Sequence, residues 1–346
     1  MRPSADVVVV GGGQAGLATS FYLRRAGIDH IVLDAQPEPG GAWRHTWPSM
    51  RLFSPAAYSS LPGWQMPPSG EDYPAAGHVV DYLTRYERRY DLPVERPVLV
   101  EQVTRRPYGF RVITDRGPVE SRAVVMATGT WTRPFVPAVP GSQEFAGQQL
   151  HSSSYAGPQG LLDHRVVVVG GANSGAQIAA DLLGSAEVTW CTLAEPRYLP
   201  DEVDGRELFR VASARVRGEG DGVQGLGDIV AVAPVRRARD LDGLRAVPMF
   251  ARFTEGGVAW ADGREQEVDA VVWCTGFRPA LQALSSLDAP RGEGRIDTDG
   301  PVVHDVPGLY LVGYGDWTGA ASATLIGVGQ WAKAAVADVG RHLGRA

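Results

Sequence analysis

The chain has 346 residues, of which 44% are hydrophobic and 21% charged, and its formal net charge is −6. This composition is typical of a globular protein large enough for two domains. The absence of clustered Lys and Arg argues against nucleic acid as a partner. No run of 18 apolar residues occurs, so we expect no membrane insertion and a cytoplasmic location.

The first predicted elements are a strand, a glycine turn and a helix. A valine run at residues 7–10 leads into Gly11-x-Gly13-x-x-Gly16, and a helix-like stretch follows at residues 17–25. A continuous valine run is typical of a strand covered on both faces, as in a parallel sheet. With the next apolar strand, this order predicts a βαβ unit.

This turn has the pattern of a dinucleotide site. One glycine makes the tight turn, one lets a pyrophosphate approach the backbone, and one lets the helix pack on the strand. The pyrophosphate would lie at the helix N-terminus beside Gln14 and Ala15, where free N–H groups favour an anion. Asp34 ends the next strand, where a carboxylate can accept hydrogen bonds from a ribose. The alternative for Asp34 is an ordinary surface acid.

A second copy of the pattern begins with the valine run at residues 166–169. Its turn consists of Gly170, Gly171, Ala172, Asn173, Ser174 and Gly175. Ala172 stands where the middle glycine would be, which is the smallest possible change. The second copy therefore predicts a second nucleotide site.

The end of the next strand in this copy bears on the choice of nucleotide. Thr192 stands there instead of an acid, and Glu195 and Arg197 follow. A carboxylate would favour the 2′-hydroxyl of NADH, whereas an arginine favours the 2′-phosphate of NADPH. Arg197 or Arg206 is therefore the candidate for NADPH recognition, with NADH as the less favoured alternative. Arg197 could equally be a solvated surface arginine.

Each copy closes with an apolar strand that runs into a Thr-Gly pair, Thr128-Gly129 in the first and Thr275-Gly276 in the second. We predict an α/β fold with two three-layer, Rossmann-like dinucleotide-binding domains. The strand and helix pattern after residue 308 returns to the first domain, so the second is an insertion. The predicted limits are 1–150 with 281–346 for the first domain and 151–280 for the second.

Two such sites, each closed by Thr-Gly, resemble the two-dinucleotide-binding flavoproteins, which include disulfide reductases and flavin monooxygenases. The linker carries Phe145-x-Gly147-x-x-x-His151-x-x-x-Tyr155. This is similar to the fingerprint FxGxxxHxxx(Y/F/W) of class B flavin monooxygenases. Tyr155 resembles the flavin-containing monooxygenase branch, because the Baeyer–Villiger branch usually has Trp.

Further segments extend the resemblance over nearly the whole chain. Gly41 and Trp43 belong to a GG-x-W segment that passes near the flavin in this family, and residues 41–64 resemble small monooxygenases associated with arsenic-resistance operons. Gly313-x-Gly315-Asp316 resembles the segment whose aspartate binds the ribityl chain. One departure is Pro55, which stands where the family commonly has Asn beside the flavin, so the substrate class stays open.

The resemblance implies an NADPH-dependent FAD monooxygenase. NADPH would reduce FAD, and the reduced flavin would react with O2 to give a C4a-(hydro)peroxyflavin. The substrate would be a small nucleophilic heteroatom compound (amine, sulfide or arsenical) or a ketone. We expect Val103 to join the cofactor contacts, and Trp43, His151 and Tyr155 to be the catalytic residues. His151 would act through conformation and hydrogen bonding rather than as a general base.

Two other functions remain open from the sequence. One is an FAD-dependent NAD(P)H oxidase or reductase of the quinone or disulfide type, and the other is a non-catalytic redox sensor. A disulfide reductase needs a cysteine pair beside the flavin, but Cys191 and Cys274 lie far apart in apolar runs. We expect buried thiols, no metal site, and a homodimer as the assembly to consider.

Overall fold

The computed structural model describes residues 2–203, 228–292 and 295–345. The α-helices of these ranges are Gln14–Arg25 (α1), Ala76–Arg89 (α2), Asn173–Leu182 (α3), Ala233–Asp240 (α4) and Val328–His342 (α5). Short 3-10 turns occur at Gly41–His45, Ala56–Tyr58, Pro158–Leu161, Gln282–Leu284 and Asp316–Thr318. No helix of the described part is both long and apolar enough to cross a membrane.

The larger sheet draws its strands from both ends of the chain. Its nine strands are Ser4–Val10, His30–Leu33, Val94–Glu95, Val100–Arg106, Gly109–Thr114, Val119–Met126, Thr298–Asp299, Val302–Val303 and Leu309–Leu311. Ser4–Val10 lies between His30–Leu33 and Val119–Met126 and is parallel to both. Leu309–Leu311 extends the parallel part beside Val119–Met126. The C-terminal segment therefore returns to the first sheet.

The second sheet is built from the middle of the chain and is parallel throughout. Its five strands are Gln148–His151, Arg165–Val169, Glu187–Thr192, Ala246–Pro248 and Ala270–Trp273. Two small antiparallel sheets complete the described strands, formed by Arg252–Thr254, Gly257–Ala259 and Glu265–Glu267, and by Arg291–Gly292 with Arg295–Ile296.

Both valine runs are covered on both faces. Val7 and Val9 pack in one core with α1, α2 and α5, whereas Val8 and Val10 pack in the core on the other face of the sheet. The second run divides in the same way between two cores of the second sheet. Since side chains alternate across a strand, each sheet forms the middle of three layers. The predicted α/β fold with two Rossmann-like domains is confirmed.

Two contacts bear on the predicted limit at residue 150. Strand Gln148–His151 pairs with Ala270–Trp273 of the second sheet, and Phe145 packs in a core of that sheet. We therefore propose that the second domain begins before Phe145. Leu281 packs against the core of the first sheet, and the limit at residues 280 and 281 stays our proposal.

Two segments cross between the domains, residues 129–135 and 276–280, and together they form an antiparallel pair that we call the linker ribbon. Its main-chain hydrogen bonds run from Ala280 N to Gly129 O (2.9 Å), from Arg278 N to Arg133 O (2.8 Å) and from Phe135 N to Gly276 O (3.0 Å). The two segments that join the domains are thus hydrogen-bonded to each other.

Gly147 offers a test of the packing at the start of the second domain. A Cβ added there would lie 2.2 Å from Phe145 Cζ and 2.6 Å from Asp269 O. Because the carbonyl belongs to the backbone and cannot rotate away, Gly147→Ala should destabilise the protein by about 1–3 kcal/mol. Gly160→Ala is the control, since a Cβ there meets nothing within 4 Å. Equal midpoints of thermal unfolding for the two variants would contradict this packing.

Candidate functional site

The first glycine turn presents bare backbone at the start of α1. A Cβ on Gly11, whose φ is +109°, would lie 2.5 Å from Ala127 O, and one on Gly16 would lie 1.8 Å from Gly11 O. A Cβ on Gly13 would instead have room, because its nearest neighbour would be Gly41 Cα at 3.9 Å. Gly13 is also the N-cap of α1 and offers no side-chain cap to the free N–H groups. This arrangement fits a pyrophosphate.

A cavity of about 300 Å³ opens in front of this turn. Of the predicted contacts of the first domain, it is lined by Gly11, Gly13, Gln14, Ala15, Asp34, Gly41, Trp43, Thr128 and Gly129. Three other predicted contacts lie elsewhere. Gly16 is buried beneath the turn, Val103 points into the core on the far face of the sheet, and Asp316 is exposed at the start of a 3-10 turn. The cavity wall near Val103 is formed instead by residues 98–100.

Asp34 is held at the edge of the cavity by an ion-pair network that the sequence did not reveal. Arg96 Nη2 lies 3.1 Å from Asp34 Oδ2, and the same guanidinium contacts Glu87 on α2 at 2.6 and 2.9 Å. The side chains of Asp34 and Arg96 are only 7% and 11% exposed. Asp34 Oδ1 accepts a hydrogen bond from Gln36 N at 3.3 Å. Arg96 therefore fixes the carboxylate that would receive the ribose.

Gln14 connects three segments around the cavity. Trp43 Nε1 donates to Gln14 Oε1 at 2.9 Å, and Gln14 Nε2 donates to Ala323 O at 2.6 Å. Nearby, the ring of His45 stacks on Trp131 with a centroid distance of 3.7 Å. The start of α1, the GG-x-W segment and the C-terminal segment thus meet at one place.

The Thr-Gly end of the first domain is tied to the linker ribbon. Thr128 Oγ1 donates to Ala280 O at 2.6 Å and lies 2.7 Å from the Tyr314 hydroxyl. That hydroxyl also accepts from Thr128 N at 3.1 Å. Burial raises the pKa of Tyr314, so its hydroxyl stays protonated and can donate to Thr128 Oγ1.

The second turn repeats the geometry of the first. Gly170 has φ +139°, and a Cβ there would lie 2.3 Å from Cys274 O, while one on Gly175 would lie 2.0 Å from Gly170 O. Ala172 is the N-cap of α3, with an extended backbone that suits alanine. Asn173 Oδ1 accepts a hydrogen bond from Val230 N at 3.0 Å. The N-terminus of α3 beside Ser174 therefore remains available for a second pyrophosphate.

Arg197 lies beyond the strand Glu187–Thr192. Its guanidinium pairs with Asp228 at 2.8 Å, and its side chain is 73% exposed. The alternative candidate, Arg206, lies outside the described residues. Arg197 is thus accessible to a 2′-phosphate, but it would share its charge with Asp228.

His151 of the fingerprint is buried and contacts the linker ribbon. Its Nε2 lies 3.0 Å from Gly276 O, and its Nδ1 lies 3.1 Å from Ser153 N. A carbonyl can only accept and an N–H can only donate, so Nε2 carries the proton and Nδ1 accepts. Burial lowers the pKa of His151, and the bond to Gly276 opposes this only partly. His151 is therefore a neutral donor to the ribbon.

Tyr155 and Trp47 lie between the domains. The Tyr155 hydroxyl donates to Asp181 on α3 at 2.8 Å, and its ring meets Trp47 edge to face at 6.2 Å. Trp47 belongs to the first-domain part of the chain, yet it packs in a core of the second sheet. Its Nε1 is buried and has no hydrogen-bond partner within the described ranges. Gln177 exchanges hydrogen bonds with the backbone of Arg51 across the same interface.

The cysteines do not form a redox pair of the kind a disulfide reductase needs. Cys191 and Cys274 are both buried and belong to different cores of the second sheet. Burial raises the pKa of Cys191 to about 12 and raises that of Cys274 as well, so neither thiol forms the thiolate that attacks a disulfide. Within the part of the chain that the structure describes, no cluster of three His, Cys, Asp or Glu could hold a metal ion.

Comparison with known proteins identifies the family and the fold of this chain. A family model described as pyridine nucleotide-disulphide oxidoreductase matches residues 8–202, more than half of the chain. A solved flavin-containing monooxygenase from Stenotrophomonas maltophilia is 46% identical and superimposes with a TM-score of 0.91, covering 99% of this chain and 100% of that one.

Two further relatives cover nearly the whole chain at lower identity. An uncharacterized CzcO-like oxidoreductase from Geobacillus kaustophilus is 28% identical over 99% of this chain and all of the relative. An indole-3-pyruvate monooxygenase from Oryza sativa is 26% identical over 96% of this chain and 90% of the relative.

The protonation state of His151 can be tested by pH. Its folded pKa is lower than the unfolded value of about 6.5. Its contribution to stability is therefore complete above about pH 6.5 and is lost as the pH falls towards the folded pKa. We expect imidazole ¹⁵N NMR to show the Nε2–H form, and His151→Gln to flatten the fall in melting temperature below pH 6.5. A titration above pH 6.5, or the Nδ1–H form, would contradict this assignment.

Asp34 can be tested by cofactor affinity. Replacing its carboxylate should remove a charge-assisted hydrogen bond to the ribose, so Asp34→Asn should raise the Kd for FAD about tenfold or more. Asp29→Asn, at the other end of the same strand and half exposed, is the matched control. Flavin fluorescence titration of both variants gives the measurement, and an equal Kd in the two would exclude the role given to Asp34.

Proposed function

This chain belongs to the pyridine nucleotide-disulphide oxidoreductase family and is a flavin-dependent monooxygenase that uses FAD and NADPH, and from this we propose that it oxygenates a small nucleophilic heteroatom compound. The use of two nucleotides in one reaction is supported by the pair of bare glycine turns, one in each domain, on either side of the linker ribbon. The choice of substrate rests on Tyr155. The bound cofactors would supply hydride transfer and oxygen activation.

We assign FAD to the first domain. The pyrophosphate would lie on Gly11–Gly16 beside Gln14 and Ala15, and the ribose would lie against Asp34. Gly41, Trp43, Thr128 and Gly129 line the remainder of the cavity and would contact the flavin half. Val103 and Asp316 remain weaker candidates, because neither side chain lines the cavity.

NADPH is assigned to the second domain. The backbone from Gly170 to Gly175, with Ala172, Asn173 and Ser174, would hold the pyrophosphate at the N-terminus of α3. Arg197 would receive the 2′-phosphate, and Thr275 with Gly276 would close the site at the ribbon. Both nucleotides would then meet near the ribbon.

The residues of this chain would position and shield the reaction rather than transfer protons. Neutral His151 holds Gly276 of the ribbon through Nε2, and Tyr155 anchors α3 through Asp181. Trp43 is fixed by Gln14 at the cavity wall, where its ring helps to exclude water. Exclusion of water would favour oxygen transfer over release of hydrogen peroxide.

The substrate class is supported mainly by Tyr155, which matches the heteroatom-oxygenating branch in the fingerprint. A ketone is the second candidate, because the rice relative is named for indole-3-pyruvate, which carries one. Oxidation of arsenicals stays a prediction that rests on the resemblance of residues 41–64. We also propose a cytoplasmic enzyme, with a homodimer as the assembly to test.

Stoichiometry tests this proposal. FAD-loaded protein should be reduced by NADPH without air. With oxygen present, one molecule of NADPH should be oxidised for each molecule of substrate that is oxygenated. We would compare methyl phenyl sulfide, trimethylamine, phenylarsenite and a cyclic ketone, and measure hydrogen peroxide in parallel. Heteroatom oxidation with little peroxide supports the proposal. NADPH oxidation that yields only peroxide, whichever substrate is present, would instead identify an oxidase.

Arg197 should set the preference for NADPH. Arg197→Ala removes a charge that would meet the 2′-phosphate, so we expect the KM for NADPH to rise about tenfold while the KM for NADH is unchanged. Arg264→Ala is the matched control, because Arg264 is also exposed and also pairs with an aspartate at 2.8 Å. An unchanged ratio of the two KM values in Arg197→Ala would contradict the assignment.

A further inference from the structure

A groove of about 610 Å³ lies beside the linker ribbon and carries an excess of positive charge. Four arginines line it, Arg133 and Arg278 from the ribbon and Arg291 and Arg295 from the hairpin that follows. No Asp or Glu is among its described lining residues. This charge contrasts with the negative net charge of the whole chain.

Within the described ranges, the four guanidinium groups have no acidic partner. Among the described residues, no carboxylate lies within 4.0 Å of any of them, whereas Arg96, Arg165 and Arg239 each contact two carboxylates. The carboxylate of Asp297 faces Gly292 but does not line the groove. Glu293 lies outside the described residues. Charges of one sign brought together without partners repel, and a bound anion would relieve that repulsion.

Packing holds the groove in place. Arg278 lies over the ring of Phe135 with its Cζ 4.6 Å from the centroid, and its backbone N donates to Arg133 O at 2.8 Å. On the other side, Trp317 lines the groove and donates through Nε1 to Ile296 O at 2.8 Å. Ile296 pairs with Arg291 across the hairpin. The four arginines therefore lie on two pairs of hydrogen-bonded segments, the linker ribbon and the hairpin.

The groove is separate from both nucleotide turns. Thr132 lines the flavin cavity, whereas the next residue, Arg133, lines the groove. None of the residues from Gly170 to Gly175 lines the groove, and neither does Arg197. An anion held here would thus contact the back of the ribbon.

We propose that this groove binds a compact polyanion carrying two or more phosphate or carboxylate groups. Arginine suits such groups because its planar guanidinium donates two parallel hydrogen bonds to one of them. A ligand that bridges Arg133 or Arg278 to the hairpin would tie the ribbon to the first domain. Occupancy would then restrict movement of the second domain and slow turnover.

The binding test uses full-length, FAD-loaded protein with saturating NADP⁺, so that the nucleotide sites are filled. Inorganic pyrophosphate and citrate are titrated calorimetrically at constant ionic strength. The double variant Arg291→Ala/Arg295→Ala should raise the Kd of the probe at least about tenfold, which corresponds to about 1.4 kcal/mol. Preference for one probe distinguishes a phosphate from a carboxylate ligand.

Arg252→Ala/Arg264→Ala is the control, because it removes the same charge from exposed arginines of the second domain. It should change the Kd by less than about twofold, and both variants should retain flavin. Equal weakening in the two variants, or no binding of either probe by NADP⁺-saturated wild-type protein, would overturn the proposal. Since binding is measured without turnover, failure of the proposed monooxygenase activity would not affect the result.

Discussion

The arrangement of both nucleotide sites depends on the main-chain pairing of the two interdomain segments. Thr128 Oγ1 donates to Ala280 O in one segment, and Thr275 Oγ1 donates to Phe135 O in the other, at 2.6 and 2.5 Å. Each strand that closes a glycine turn is thereby attached to the segment that leaves the opposite domain. Because ligands of such sheets bind at the carboxyl ends of the strands, this reciprocal attachment directs both sites towards the ribbon.

The fingerprint residues serve the same attachment. Gly147 lets the backbone approach Asp269, His151 donates to Gly276, and Tyr155 binds Asp181 on α3. None of these contacts requires His151 to gain or lose a proton. We therefore propose that the fingerprint fixes the position of the second domain and that the reactive chemistry belongs to the cofactors.

The sequence predicted what depends on local pattern. Burial of the valine runs on both faces follows from their continuity, and the two tight turns follow from the spacing of their glycines. Contacts between distant positions could not be predicted in this way. Arg96, which follows strand Val94–Glu95, reaches Asp34 from 62 positions away, and the four arginines of the groove come from separate segments. The strand Gln148–His151 was not predicted, because a short, polar strand carries little periodicity.

The central claim is that the ribbon joins two nucleotide sites into a monooxygenase. Its most direct test follows the oxygen atoms of isotopically labelled dioxygen into the products. The account predicts one labelled atom in the sulfoxide formed from methyl phenyl sulfide, with the other atom in water, in a reaction that requires both FAD and NADPH. Unlabelled sulfoxide, or label recovered only in hydrogen peroxide, would contradict the account.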